Sequence, residues 1–503
     1  MGAGGFEWLT APLLLFTKSD RGLFLINFLS FLLMPGLNFS VFRRLGVRPR
    51  VAWHWMWVLP TGYNFLLQAG SLNNDMFPAI YALAAMDFGL RAWESRRFSD
   101  LGLSILSAAL LTGTKATNLP LLLPWGILML GLLPRLLRRP AATLVLLALA
   151  ATVSFLPTAA LNVRYCHDWT GLNLELPGIG MHNPIVGIWG NALLLMKNFV
   201  QPFFPQATWW NHSAESLLPH WMVSRMNANF EKDCLVLVEM PTEDGAPLGF
   251  GLSWLILFSV AAAGWRGAAS RGDWASHRFL PCALRRVLLV APWGSLLAYC
   301  MKSGLVDAGR LISAYYPLLL PLLLVGARQA EIVQRRWWRG MVLGVFLLAL
   351  PVLVLTPGRP LWPARTVLSR LVAWKPDNRL LKRALTVYSV YDVRSDPLGN
   401  VRALLPEGLS RVGFMGTGDD IDISLWRPFG TRRVEHILLS DSPEQIRRRH
   451  LQYAVVGEAN LLENHTTLAD WQKRTGAEVV ATVMATQTVS QGPQPWHIVR
   501  FPD

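Results

Sequence analysis

At 503 residues, 52% hydrophobic and only 16% charged, with a mean hydropathy of +0.32, the chain lies outside the composition of an ordinary soluble enzyme. Its formal net charge of +15 would suit a nucleic-acid partner, but the positive charge is mostly Arg in short turns between apolar runs. That is how a multi-pass inner-membrane protein places its charge, and it argues against nucleic acid as a partner.

In chain order, runs near membrane-spanning length predict about ten crossings, at roughly 22–42, 51–70, 76–92, 101–115, 118–134, 141–161, 248–265, 287–302, 311–327 and 340–356. The fourth and fifth are short and meet at Thr114–Asn118, which predicts a tilted or broken pair. One set of turns is Arg-rich: Arg43 to Arg50, Arg91 to Arg97, Arg135 to Arg139, Arg266 to Arg286, and Arg328 to Arg339. The other set holds Asp75, Lys115, the long loop 162–247 and Lys302 to Arg310. The bias has one sense at every turn, so the Arg-rich side is expected in the cytoplasm of a bacterial inner (plasma) membrane. Both ends of the chain then lie outside. The N-terminal MGAGGFEW has no basic n-region, and 1–20 reads as the tail of an outer loop, so an upstream crossing is expected.

The loop 162–247 is too long and too apolar for a plain linker, and a helix is expected over 185–200. Cys166 and Cys234 both fall in it; two unpaired thiols are the first reading, and a bridge between them is the alternative if the loop lies outside the cytoplasm. From Trp374 the apolar runs shorten and charges of both signs mix. RVGFMG, RVEHILL, YAVVGE, EVVATVMA and WHIVRF predict strands; SPEQIRRRH and TTLADWQKRTG predict capped helices. The expected fold class is thus a multi-pass α-helical membrane bundle over 1–373, with a small extracytoplasmic α/β domain over 374–503. Gly413, Gly416 and Gly418 miss the dinucleotide-binding spacing, and no GxSxG, HExxH or P-loop is present.

Three ionisable residues stand out on the outer side. Asp75 follows Asn73 and Asn74 at a predicted helix start; it reads either as a cap facing water or as an acid for an acceptor, a metal or a proton. Lys115, in TGTKATN, reads as a snorkelling lysine or as a phosphate contact beside the hydroxyls of Thr112, Thr114 and Thr117. Arg310 flanks a crossing on the side where arginine is disfavoured; pairing with Asp307 or with a phosphate would account for it. His182, Lys197, His212, His220 and Arg225 are further polar candidates in the long loop.

The stretch GSLNNDMFPAIYALAAMDFGLRA, then LLTGTKATNLPLLLPW, resembles the GT-C superfamily of membrane glycosyltransferases. Its nearest branch is that of protein O-mannosyltransferases and the lipid A aminoarabinose transferase. FEKDCLVLVEMPTEDGAPLGFG and GRLISAYYPLLLPLL resemble later segments of the same group, so that the likeness covers about residues 7–330. It implies transfer of a sugar from a polyprenyl-phosphate donor to a lipid, glycan or protein acceptor outside the cytoplasm, with membrane lipids as surroundings. It assigns Asp75 to catalysis or acceptor binding, and Asn74, Lys115, Arg310, His182 and Tyr315 to substrate. A divalent metal, with Asp75 as its ligand, is used by some members only; no other cofactor is implied. The family's main catalytic acid, in the first outer loop, has no counterpart; Glu7 and Asp20 lack its context. An incomplete, inactive transferase, a transporter or lipid-handling protein, and a scaffold with an outer binding domain therefore stand as alternatives.

Overall fold

The computed structural model describes residues 7–170, 181, 183–202, 206–231, 234–264, 280–418, 420–487 and 492–502. The chain divides into two compact units, one built on Phe24–Arg359 and one on Thr10–Leu23 with Pro360–Asp503.

The first unit is helical. Leu25–Arg44 is a 20-residue apolar helix with Arg43 and Arg44 in its last turn, where cations meet the negative end of the helix dipole. Such a helix is about 30 Å long, the thickness of a hydrocarbon core. Arg336–Leu355 matches it in length. Among the described residues these two helices are long and apolar enough to cross a membrane. Pro140–Val153 with Leu156–Tyr165, bent by 55° at their break, makes a third if counted as one span.

Length and hydropathy therefore do not by themselves pick out the ten crossings expected from run length. The remaining runs are short, broken or charged. Pro49–Val58 gives way to a 3-10 turn at Leu59–Thr61, which contains Pro60, before Tyr63–Gln68 resumes. Phe98–Thr114 stops at Lys115, whose backbone is extended, and a 3-10 turn over Ala116–Leu121 leads into Leu122–Leu130. The break expected at Thr114–Asn118 is thus present. Phe77–Ser95 carries Asp87, Arg91 and Glu94, and Cys282–Cys300 carries Arg285 and Arg286.

Packing in this unit is close. Ser104 Oγ donates to the Ala85 carbonyl at 2.7 Å, tying Phe98–Thr114 to Phe77–Ser95. A Cβ placed on Gly113 would lie 2.0 Å from the Val153 oxygen, so only glycine allows that approach. Within the long loop, Asn183 caps the Pro184–Leu195 helix by accepting from the Ile185 and Val186 amides. Asn191 then anchors that helix by donating to the carbonyls of Cys300 (3.0 Å) and Ser303 (2.8 Å). The side chain of Cys166 lies outside the described residues.

The second unit holds a five-stranded sheet of order β2-β1-β3-β5-β4, made of β1 (Arg411–Met415), β2 (Arg433–His436), β3 (Tyr453–Gly457), β4 (Glu478–Ala485) and β5 (Gln494–Arg500). Each stretch read as a strand is one. β1 pairs in parallel with β2 and β3, whereas β5 runs antiparallel to β3 and β4, so the sheet is mixed. Strand periodicity sends Val412, Phe414, Val455 and Ile498 to one core and Met415, Ala454, Val456 and Val499 to the other. Ser442 and Gln445 form a reciprocal capping box on Pro443–Arg448. Thr467 caps Leu468–Thr475, which ends at left-handed Gly476. Asp20 joins the same unit through a 2.6 Å contact with Arg427.

Candidate active site at the Asp75 turn

The turn 69–76 breaks between two helices because its sequence, AGSLNNDM, has no helix period and four residues, Ser71, Asn73, Asn74 and Asp75, of types that compete for backbone bonds. Its shape is held from several sides. Asn27, buried in Leu25–Arg44, donates to the carbonyls of Ser71 (3.0 Å) and Asn73 (2.7 Å). Gln68 donates to the Glu243 carbonyl at 2.8 Å and accepts from Ser71. Asn27 and Gln68 are fully buried and belong to the scaffold of the turn.

Asp75 is 4% exposed. It is not the cap of Phe77–Ser95: Met76 stands at that position, and no side chain caps the helix. Two cations converge on the carboxylate instead. Lys115 Nζ is bonded to Oδ1, and Arg310 Nε lies 3.5 Å from Oδ2 without a hydrogen bond. Arg310 Nη1 also reaches Oδ1 of Asp244 at 3.3 Å, and Asn73 donates to the same oxygen at 2.9 Å. The Arg310 side chain thus pairs with Asp75 and Asp244; the Asp307 carboxylate acts on it through its charge, and the Asp307 carbonyl accepts from the Arg310 amide at 3.0 Å.

The structure brings Asp75, Lys115 and Arg310 together from three separate parts of the chain. Asn74 is beside them, its amide 3.4 Å from the Thr114 carbonyl. Tyr315 is fully buried and donates its hydroxyl to the Thr117 carbonyl at 2.7 Å, which fixes the backbone just after Lys115. The expected trio of threonine hydroxyls is not assembled: Thr112 and Thr114 bond back to carbonyls of their own helix. Thr117 Oγ1 is buried and has no partner among the described residues. His182 lies outside the described residues. His212 is exposed and bonded to the Thr208 carbonyl, and His220 and Arg225 are exposed. Lys197 and Asp307 act on each other electrostatically near the site. Burial pushes the Lys197 ammonium down and the Asp307 carboxyl up, each opposed by the other's charge.

Asp244 is the residue that sequence reading missed. It is one of several acids in a loop and carries no motif, so only its contacts single it out. Its side chain is 68% exposed, against 2% for Asp75. Two carboxylates of different character therefore flank one guanidinium. Among the described residues no three His, Cys, Asp or Glu gather as a metal-holding group, and both Asp75 oxygens face cations.

The arrangement suits an anion. Lys115 and Arg310 carry eight N–H donors between them; among the described residues one hydrogen bond runs from Lys115 to Asp75 and one from Arg310 to Asp244, and both side chains are partly exposed. Asp75 holds them side by side and compensates part of their mutual repulsion. No protein-family model matches the chain, and no curated protein matches it. Among solved structures the chain is similar to the crystal structure of ArnT from Cupriavidus metallidurans in the apo state, with 12% identity, a TM-score of 0.35, and coverage of 95% of this chain and 83% of that one.

Proposed function

We propose that this chain is an integral membrane glycosyltransferase of the GT-C kind, taking a sugar from a polyprenyl-phosphate carrier to an acceptor outside the cytoplasm. The observation that carries this reading is the convergence of Lys115 and Arg310 on buried Asp75. In such a transfer the C–O bond between sugar and phosphate breaks, and the leaving phosphate takes the electron pair. Cations held in place beforehand stabilise that charge as it develops. Lys115 and Arg310 fill that role, and Asp75 positions them.

The acceptor hydroxyl must lose a proton as it attacks. A general base has to reach its substrate, and exposed Asp244 is better placed for this than Asp75, whose oxygens face Lys115 and Arg310. Phosphate binding at Arg310 would also release Asp244 from the 3.3 Å contact that now occupies it. The second reading, a lipid-handling protein without transfer, draws on one observation: each carboxylate touching these cations is already ion-paired.

The test is turnover in proteoliposomes, with a panel of polyprenyl-phosphate sugars labelled in the sugar. Release of label from the lipid, abolished by Arg310→Gln, supports the transferase. Binding of polyprenyl phosphate without release of any label would favour the lipid handler. Neither binding nor release would end both readings.

A further inference from the structure

Arg310 sits on a helix of four residues, Ala308–Leu311. One turn of helix is too short to hold its own place. The side-chain contacts do not fix it either: those to Asp75 at 3.5 Å and to Asp244 at 3.3 Å are both long. The place of this guanidinium is set through the main chain, and two buried amides outside the charged cluster set it. We propose that Asn64 and Asn198 are positioning residues of the Asp75 site, holding the helix of Arg310 and the segment of Asp244 at one spacing. The inference rests on the reading of that site as one for polyprenyl phosphate.

Asn64 is 0% exposed and Asn198 7%. Each grips both segments. The backbone N–H of Asn64 donates to the Pro247 carbonyl at 3.0 Å, and its side chain donates to Ser313 Oγ at 2.8 Å. Ser313 Oγ in turn donates to the Arg310 carbonyl. Asn198 Oδ1 accepts from the Leu248 amide at 2.7 Å, and its Nδ2 donates to the Tyr316 hydroxyl at 3.3 Å. That hydroxyl donates to the Gly309 carbonyl at 3.0 Å. Two relays therefore start at Pro247 and Leu248, just beyond Asp244, and end on the carbonyls of Gly309 and Arg310.

The two segments also meet directly. A Cβ on Gly309 would lie 3.0 Å from Pro247 Cβ and 3.3 Å from Asn198 Oδ1, so glycine permits the close crossing. A serine that bonds back to a carbonyl of its own turn is ordinary. One that also accepts from an asparagine 249 residues away joins two parts of the chain. A phosphate held by cations from separate segments needs their spacing set in advance, and a misplacement of about 1 Å can cost about 10²-fold in rate.

The experiment uses the full chain in a neutral detergent and reads the affinity for labelled polyprenyl phosphate. Ser313→Ala and Tyr316→Phe each delete one oxygen of a relay, and each should weaken binding by about fivefold to tenfold. Asn64→Ala should do the same; if it unfolds early, the two single-oxygen variants carry the test. Ser104→Ala is the matched control. Ser104 is equally buried, accepts from Trp125 at 3.0 Å and donates to the Ala85 carbonyl at 2.7 Å, away from Arg310. It should lower the unfolding midpoint as much as Ser313→Ala and leave the affinity unchanged. In an Arg310→Lys background, Ser313→Ala should change the affinity by less than about twofold, because its effect runs through the guanidinium. Wild-type affinity in both single-oxygen variants, an equal loss in Ser104→Ala, or the same loss in the Arg310→Lys background would overturn the inference. So would a wild-type chain that does not bind polyprenyl phosphate. Binding without sugar transfer would end the transferase reading alone, and these affinities would still decide the roles of Asn64 and Asn198.

Discussion

Lys115 is bonded to Asp75 across a helical hairpin: Phe77–Ser95 leads away from the carboxylate, and Phe98–Thr114 brings the ammonium back to it. The pair closes the hairpin at its open end. Asp75→Asn should leave Lys115 and Arg310 beside each other with their counter-charge removed. The expected loss is about 2–4 kcal/mol, read as a lower unfolding midpoint in detergent. Lys115→Met in the same background should recover part of it, with a coupling of about 1–3 kcal/mol. Additive effects of the two changes would contradict the pairing.

Asp244 should behave in the opposite way. Its side chain is mostly in water, so Asp244→Asn should change stability by no more than about 0.5 kcal/mol. If it is the base of the proposed transfer, kcat should fall by roughly 10²–10⁴ with donor affinity unchanged. Full activity in this variant would remove Asp244 from the chemistry while leaving the Lys115–Arg310 phosphate site intact.

Gly113 and Gly126 make a matched pair of substitutions. Gly113→Ala would drive a methyl into the Val153 carbonyl, and should cost about 1–3 kcal/mol or more. Gly126, in Leu122–Leu130, has nothing within 4 Å of its Cβ position. Gly126→Ala should be neutral or stabilising by up to about 1 kcal/mol. Thermal unfolding of the two variants side by side checks both.

In the β-sheet unit, His436 Nε2 lies 3.3 Å from Asp422, and its ring meets Phe414 edge-on. The hydrogen bond to Asp422 raises the imidazole above its ordinary range, against burial. Burial would raise Asp422, but its bonds from His436 and Trp426 outweigh this and hold it low. A raised histidine stabilises the fold fully below its unfolded value of about 6.5, and loses that contribution as pH rises through the folded value. A lowered aspartate contributes above about 3.8 and loses its share as pH falls through the folded value. The pair therefore works best between these limits. His436→Gln should speed hydrogen exchange in β1 and β2 near pH 5.5, by about 0.5 kcal/mol for so exposed a pair, and should leave it unchanged above pH 8.5. The same difference at both pH values would exclude the ion pair as its cause.

The sheet and its helices were legible because their signals are local. Alternation in RVGFMG and YAVVGE, and Ser442 or Thr467 at a helix start, need no distant partner. The meeting of Asp75, Lys115 and Arg310 was legible for another reason: the turns alternate between an Arg-rich set and a second set, and these three residues all fall in the second set. What escaped was everything that depends on side-chain direction. Thr112 and Thr114 share a stretch with Lys115, yet their hydroxyls turn into their own helix. Asn27 looks like a blemish in an apolar run, yet it holds the Asp75 turn from across the unit. The number of crossings was blurred for a related reason: Pro60, Pro120 and Arg285 interrupt or charge runs that are apolar only on average.

The spacing of the cluster along the chain has a bearing on its birth. Arg310 leaves the ribosome roughly 10–50 s after Asp75, at ordinary rates of synthesis. Lys115 arrives much sooner. For most of that interval the half-built helices must carry an aspartate matched by a single cation. Quality control in the membrane has that long to find it, and chains cut short before Arg310 should be cleared faster than chains that reach it.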